Sequence, residues 1–229
     1  MSVFEKCEDM KKQLIKVRKS YERLFSQDSE KIPPQIAALP GYDLIMENLL
    51  YITVGAPEVR TYLNPTSGMN FIDLGCSGDL AQYQLEEWPS LYYGIDISPL
   101  YINVMKLYAR QKKIKIGGLF VGELINLPFK DSFFEIAACI GVTQYLSPEY
   151  LETTIKEIAR VLKKRARLVI DIPNKNHEFL QTMLKVEEYY QRPNYLHSSD
   201  QFLEYLKLYF KVHDLDDQYV LKKYYLERY

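Results

Sequence analysis

Cysteine is scarce and unpatterned in this chain: Cys7, Cys76 and Cys139 stand alone, with no CxxC spacing. An odd, scattered set excludes a closed disulfide framework. Three histidines without ligand-like clustering argue against a structural zinc site. Long apolar runs are missing too. The longest, Leu49 to Ala56, falls far short of the roughly 20 residues that span a bilayer. The opening MSVFEK carries Glu5 and Lys6 and runs into a charged amphipathic stretch, unlike a signal peptide. Charge of one sign is absent as well: 29 basic residues meet 30 acidic ones for a net charge of -1. A dedicated nucleic-acid binder usually shows a basic excess. Gly 10 and Pro 11 are modest and no tract is biased, which excludes collagen-like and disordered chains. The expectation is a reduced, cytoplasmic protein with no metal, no membrane segment and no nucleic-acid partner.

What is present is a core. With 229 residues, 47% of them hydrophobic, the chain can bury one large domain. Tyrosine is unusually common, Tyr 20 against Phe 10, and offers apolar area with a polar tip. Val3, Cys7, Met10, Leu14, Val17, Tyr21 and Leu24 alternate spacings of four and three, so residues 2–25 read as one helix. Such a seam serves a dimerising coiled coil or a helix packed on its own domain, and the shortness of the repeat favours the second. Both monomer and homodimer stay open. SQDSEKIPP (26–34) breaks the helix, and a second helical region over 42–63 is interrupted near Gly55–Pro57.

From Met69 short apolar runs alternate with amphipathic segments. Strands are expected at 69–74, 91–96, 116–122, 133–140 and 166–172, and helices at 79–87, 99–111 and 148–163. Continuous apolar strands between helices imply a parallel sheet covered on both faces, and right-handed crossovers make it doubly wound. Helices near 175–190 and 199–208 follow. Two strand-like runs around Asp216-Asp217 then suggest a closing antiparallel hairpin. The chain divides as one domain: a helical cap (1–65), a core (69–173), and substrate-side helices with the hairpin (174–229).

In an open α/β sheet, ligands bind outside the carboxyl ends of the strands. The first such end is FIDLGCSGDL (71–80), where Gly75 and Gly78 permit a tight turn and close backbone approach. The second strand ends at Asp96, placed to accept both hydroxyls of a ribose. Together they point to a nucleoside-containing cofactor. Asp79 narrows the choice, because a carboxylate at this turn repels a diphosphate while capping its own helix. A cofactor carrying a sulfonium and an ammonium group suffers no such repulsion. The turn therefore disfavours NAD(P) and tolerates S-adenosylmethionine.

At these residues the chain resembles the class I S-adenosylmethionine-dependent methyltransferases, in particular the small-molecule branch. FIDLGCSGD resembles that family's first motif and YYGIDISPLYINVMK its second; VGELINLPFKDSFFEIAACIGVTQYL and IKEIARVLKKRARLVIDIP resemble the segments that follow. The resemblance implies a Rossmann-like, mostly parallel seven-stranded sheet with a C-terminal antiparallel hairpin beneath an N-terminal helical cap. It also implies S-adenosylmethionine as cofactor, with S-adenosylhomocysteine as product. Carried over by position, Asp73, Gly75, Cys76, Ser77 and Gly78 bind the methionine moiety. Asp96 binds the ribose, Ile97 packs on adenine, Glu123 and Leu124 flank the adenine ring, and Ile140 lines the centre. Ser77 and Asp79 replace the second and third glycines of the family turn. Gln144 and Tyr145 stand where the family's motif faces the acceptor.

Methyl transfer from a sulfonium is an in-line displacement, so positioning can supply much of the catalysis, with a base needed only when the acceptor must lose a proton. Tyr42, Tyr51, Tyr189, Tyr190 and Tyr195 could form an aromatic box for a cationic amine, or simply pack beneath a lid. This gives nitrogen a slight preference over oxygen as acceptor. His177 and His197 lie in segments that commonly cover such a site. KKRAR (163–167) reads as a solvated turn rather than a nucleic-acid patch. The rival readings are a non-catalytic methyltransferase-fold partner protein and an NAD(P) oxidoreductase.

Overall fold

The computed structural model describes the backbone of residues 3–25, 32–50 and 57–229, and the side chains of 8–24, 32–46 and 57–229. Val3, Cys7, Tyr51 and Gly55 fall, wholly or in their side chains, outside that set. The helical cap consists of α1 (Val3–Phe25), α2 (Pro34–Ala37), α3 (Tyr42–Leu50) and α4 (Pro57–Leu63). The core then runs β1 (Asn70–Leu74), α5 (Asp79–Gln82), β2 (Leu91–Asp96), α6 (Pro99–Lys112), β3 (Gly118–Val121) and β4 (Phe134–Cys139). It continues through α7 (Pro148–Val161), β5 (Leu162–Pro173), α8 (Leu180–Tyr189), α9 (Ser199–Lys207), β6 (Phe210–Asp216) and β7 (Leu221–Arg228).

The seven strands form one sheet in the order β3-β2-β1-β4-β5-β7-β6. The first five pair in parallel, and β7 runs antiparallel to both β5 and β6. Successive residues of a strand point to opposite faces, and here both faces are apolar. Ile72, Ala137, Leu168 and Ile170 face one core layer with α7. Phe71, Ile136 and Val169 face the other, with Trp88, Ile102, Met105 and the α4 residues Val59 and Leu63. That two-sided burial is why these strands read as unbroken apolar runs. The order reverses between β1 and β4, which opens a crevice at their carboxyl ends.

Three local expectations are corrected. The helix expected at 79–87 stops at Gln82, and a separate 3-10 turn spans Leu85–Glu87. Leu85 and Trp88 are out of helical phase with Leu80; a left-handed Gln84 (φ 53) turns the chain so that all three are buried. The basic run 163–167 is not a turn but the start of β5. Lys163, Lys164 and Arg165 are exposed there, at a bulge where Arg165 has φ 64 and the pairing with β4 shifts register. Asp79 also opens α5 without capping it: Gly78 holds the N-cap position, and no side chain caps this four-residue helix.

The α1 seam is spent inside the domain. Met10, Leu14 and Val17 are buried, and the first two join the α7 core layer. Met10 Sδ accepts from the Ser147 amide at 3.3 Å, and Ser98 Oγ donates to Glu22 at 2.7 Å. The helix is thereby fixed across the carboxyl ends of the strands. No helix among the described residues is long and apolar enough to cross a membrane.

Candidate active site

A cavity of about 350 Å³ lies at the carboxyl ends of β1, β2 and β4 beneath α1. Its floor is the turn after β1. Gly75 has φ +86, and a Cβ there would lie 2.3 Å from Val142 Cγ2, so only glycine fits. The amides of Gly75 and Cys76 both donate to the Ile95 carbonyl, at 2.8 and 3.1 Å. Ser77, at φ 35, donates its amide to Asp96 Oδ2 at 3.0 Å, and the Ser98 amide reaches Oδ1 at 2.7 Å. Asp96 therefore ties the β1 turn to the end of β2 while facing the cavity.

This floor is strongly acidic. Burial pushes Asp73 up to about 7; the Tyr92 hydroxyl, donating at 2.8 Å, opposes the shift and the Asp96 charge adds to it. Asp79 is driven well above the usual carboxylate range by burial and then by the charges of Asp73 and Asp96. Asp96 is raised by burial despite its amide donors. A cationic ligand relieves this repulsion, whereas a diphosphate would compound it.

The wall comes from the loop after β4. Gly141 (φ +71) donates its amide to both carboxylate oxygens of Asp171, each at 3.0 Å. Thr143 Oγ1 donates to the Asp171 carbonyl, and the buried His197 ring meets the Thr143 carbonyl at 3.1 Å. The Tyr195 amide donates to the Gln144 carbonyl at 2.7 Å. Gln144 donates Nε2 to the Gly141 carbonyl, while its buried Oε1 has no partner among the described residues. An orphaned acceptor in a cavity wall wants a donor from a ligand.

Burial pushes Asp171 up to about 7, with the Gly141 amide and Lys223 opposing. A carboxyl whose folded pKa is raised stabilises the fold at acid pH and loses that contribution as pH climbs from about 4 toward 7. Asp171→Asn keeps an acceptor for Gly141 without the buried charge. The expected outcome, in thermal unfolding from acid to mildly alkaline pH, is a flatter stability profile and no loss at the alkaline end. An unchanged profile would show that Asp171 is already ionised at low pH.

Deeper in the wall lies a buried polar chain. Tyr145 donates its hydroxyl to Glu187 Oε2 at 3.0 Å, leaving its oxygen to accept from Tyr21 of α1 at 2.8 Å. Arg192 donates to Glu187 Oε1 at 3.3 Å and to Ser20 Oγ at 3.0 Å. Burial raises Glu187, with Arg192 and the Tyr145 bond opposing.

Of the residues expected at the cofactor, Gly75, Ser77, Asp96, Ile97, Glu123, Leu124 and Ile140 line the cavity, as do Gln144 and Tyr145. Asp73, Cys76 and Gly78 do not: Asp73 is sealed behind the turn by Tyr92, Cys76 packs against Gly94, and Gly78 caps α5. Glu123 also accepts from the Tyr150 hydroxyl. None of the other described tyrosines singled out in the sequence, nor His177, lines the cavity. Tyr42 opens α3, which packs on α8 through Ile45 and Met183. The Tyr195 hydroxyl donates to Gln13. Tyr189 and Tyr190 pack edge to face on each other, and the Arg192 guanidinium lies 4.5 Å from the Tyr190 ring and 3.9 Å from that of Tyr21. His177 accepts from the Phe179 amide and donates Nε2 to the Gln218 carbonyl. Sequence reasoning missed the roof residues Arg18 and Tyr21 and the Glu187–Arg192 pair, while Asp79, singled out at the β1 turn, does line the cavity. The helical periodicity of α1 marked Tyr21 as inward-facing, but nothing in the sequence said what lay beneath it.

Comparison with known proteins agrees with this geometry. Residues 72–170 match the family model described as a methyltransferase domain. An uncharacterised protein of Methanocaldococcus jannaschii is 29% identical over 152 residues, covering 65% of this chain and 58% of that protein. Demethylmenaquinone methyltransferase of Thermotoga maritima is 29% identical over 159 residues, covering 68% of this chain and 62% of the enzyme. The chain thus spans about three fifths of these relatives' length. Magnesium protoporphyrin IX methyltransferase of Synechocystis, solved with S-adenosylmethionine bound, superposes with a TM-score of 0.66 at 15% identity, covering 95% of this chain and 97% of that one. Residues 72–170 therefore match a methyltransferase domain, and the chain shares its seven-stranded fold with a solved methyltransferase.

Proposed function

We propose that this protein transfers a methyl group from S-adenosylmethionine to a small molecule. The observation that carries the reading is the acidic floor at the switch point of the sheet. Asp96 faces the cavity on two backbone amides, and Asp79 stands where a diphosphate would need backbone alone. Ile97, Leu124 and Ile140 supply apolar walls for a purine, and Asp96 retains lone pairs for ribose hydroxyls. When bound, the cofactor supplies an electrophilic methyl group on sulfur. The chain's own part is to orient the acceptor and remove its proton.

Gln144 and Tyr145 are proposed to meet the acceptor. Gln144 Oε1 accepts its N–H or O–H, and Tyr145 passes a proton on to Glu187. Of the rings that favoured a cationic amine, Tyr190 already faces Arg192 and none of the described ones lines the cavity, so the nitrogen preference loses that support. The reading widens to a protic acceptor, nitrogen or oxygen. The two nearby methyltransferases act, by name, on a demethylmenaquinone and a porphyrin, which supports a small-molecule substrate. Calorimetric titration with S-adenosylmethionine, S-adenosylhomocysteine and NAD is the test. One-site binding of the first two in the micromolar range, with none for NAD, is expected. A folded protein that binds neither would end the reading in favour of a non-catalytic partner protein.

A further inference from the structure

The lining of the cavity is unbalanced in charge. Asp79, Asp96 and Glu123 face it, and Arg18 of α1 is the one cation among the described lining residues. Two of the three carboxylates have work to do: Asp96 holds the amides of Ser77 and Ser98, and Glu123 takes the Tyr150 hydroxyl. Asp79 is left to meet a cationic group. Arg18 is equally underused. Its buried Nε has no hydrogen-bond partner among the described residues. The facing carboxylate, Glu22, stands 3.9 Å away, beyond hydrogen-bond reach, and already accepts from Ser98 Oγ. A buried guanidinium N–H without an acceptor is costly unless a ligand supplies one.

We infer that Arg18 and Asp79 form a two-sided clamp for the free α-amino-acid end of the cofactor, Arg18 taking its carboxylate from the roof and Asp79 its ammonium from the floor. This rests on the methyltransferase reading and adds to it residues of the cap and of the departed glycine. It gives the serine–aspartate form of the β1 turn a purpose: Asp79 turns a backbone cradle into a charge-selective one. It also makes α1 part of the binding site, since the helix that roofs the cavity brings the one counter-charge for a carboxylate among the described lining residues.

The test is calorimetric and needs no acceptor. Wild type, Arg18→Ala and Asp79→Asn are each titrated with S-adenosylhomocysteine and with methylthioadenosine, which lacks the amino-acid end. Each variant is expected to bind S-adenosylhomocysteine about tenfold to a hundredfold more weakly, the range for a lost charge-assisted contact, with methylthioadenosine unaffected. Retained methylthioadenosine binding shows that the variant is folded. Equal losses for both ligands, or none for S-adenosylhomocysteine, would overturn the clamp and leave the cofactor assignment standing. Binding of neither ligand by folded wild type would overturn the cofactor assignment, and the clamp with it.

Discussion

Asp96→Ala is expected to weaken S-adenosylhomocysteine binding at least about a hundredfold, the scale of losing two hydrogen bonds to a charged group, and also to lower the unfolding temperature. The second effect comes from the structure alone. The sequence suggests that Asp96 contacts only ligand, so that its loss should spare the fold. In the folded chain the carboxylate also accepts the Ser77 and Ser98 amides, and those donors lose their partner in the variant. Each unsatisfied amide costs about 1–3 kcal/mol where water cannot reach it. Every kcal/mol corresponds to roughly 2–4 °C in a domain of this size. Asp96→Asn separates the two roles: it keeps an acceptor for one amide while losing the charge. Titration of both variants beside their melting curves decides. Unchanged affinity in Asp96→Ala would remove the ribose assignment.

Tyr145→Phe is expected to lower kcat about a hundredfold or more while leaving cofactor affinity intact, once an acceptor is in hand. Tyr145 stands between the cavity and Glu187, and its hydroxyl already points at the carboxylate. In the proposed relay the acceptor's proton would move to the Tyr145 oxygen as the Tyr145 proton moves to Glu187. Only ionised Glu187 can take that proton, so activity falls as pH drops through its raised pKa. Glu187→Gln should erase that acid limb. It also strands Arg192, a buried cation, at a cost of about 3–5 kcal/mol. The double variant Glu187→Gln, Arg192→Met removes the stranded charge and should recover part of the stability but none of the rate. A wild-type rate in Tyr145→Phe would dismiss the relay and leave the buried chain a purely structural network.

The elements of this protein were legible because each rests on local chemistry. The spacing of Met10, Leu14, Val17 and Tyr21 demanded a helix, and alternating faces made the strands from Phe71 to Ile172 apolar throughout. Ser98-Pro99 and Ser147-Pro148 are N-cap and first-turn pairs, and both open helices where expected. The turn at Gly75 and the acid at Asp96 were legible for the same reason: each is the residue its own backbone position and strand end require. Where two local signals competed, the local reading failed. Leu85 and Trp88 looked helical until Gln84 turned the chain under them, and Arg165 looked like a turn until β5 took it in through a bulge.

The buried polar chain behind the cavity wall was decided only by tertiary structure. Tyr21, Tyr145 and the Glu187–Arg192 pair belong to three separate segments, and no spacing in the chain relates the three. Packing of α1 across the strand ends brings them together, and burial then gives their charges consequence. The same packing set Arg192 against the rings of Tyr21 and Tyr190 and turned a heptad seam into the roof of a cavity. A sequence sets which faces are apolar and which turns need glycine, since those depend on neighbours along the chain. Which polar groups meet beneath the roof depends on how helices dock, and that is fixed only when the whole core closes.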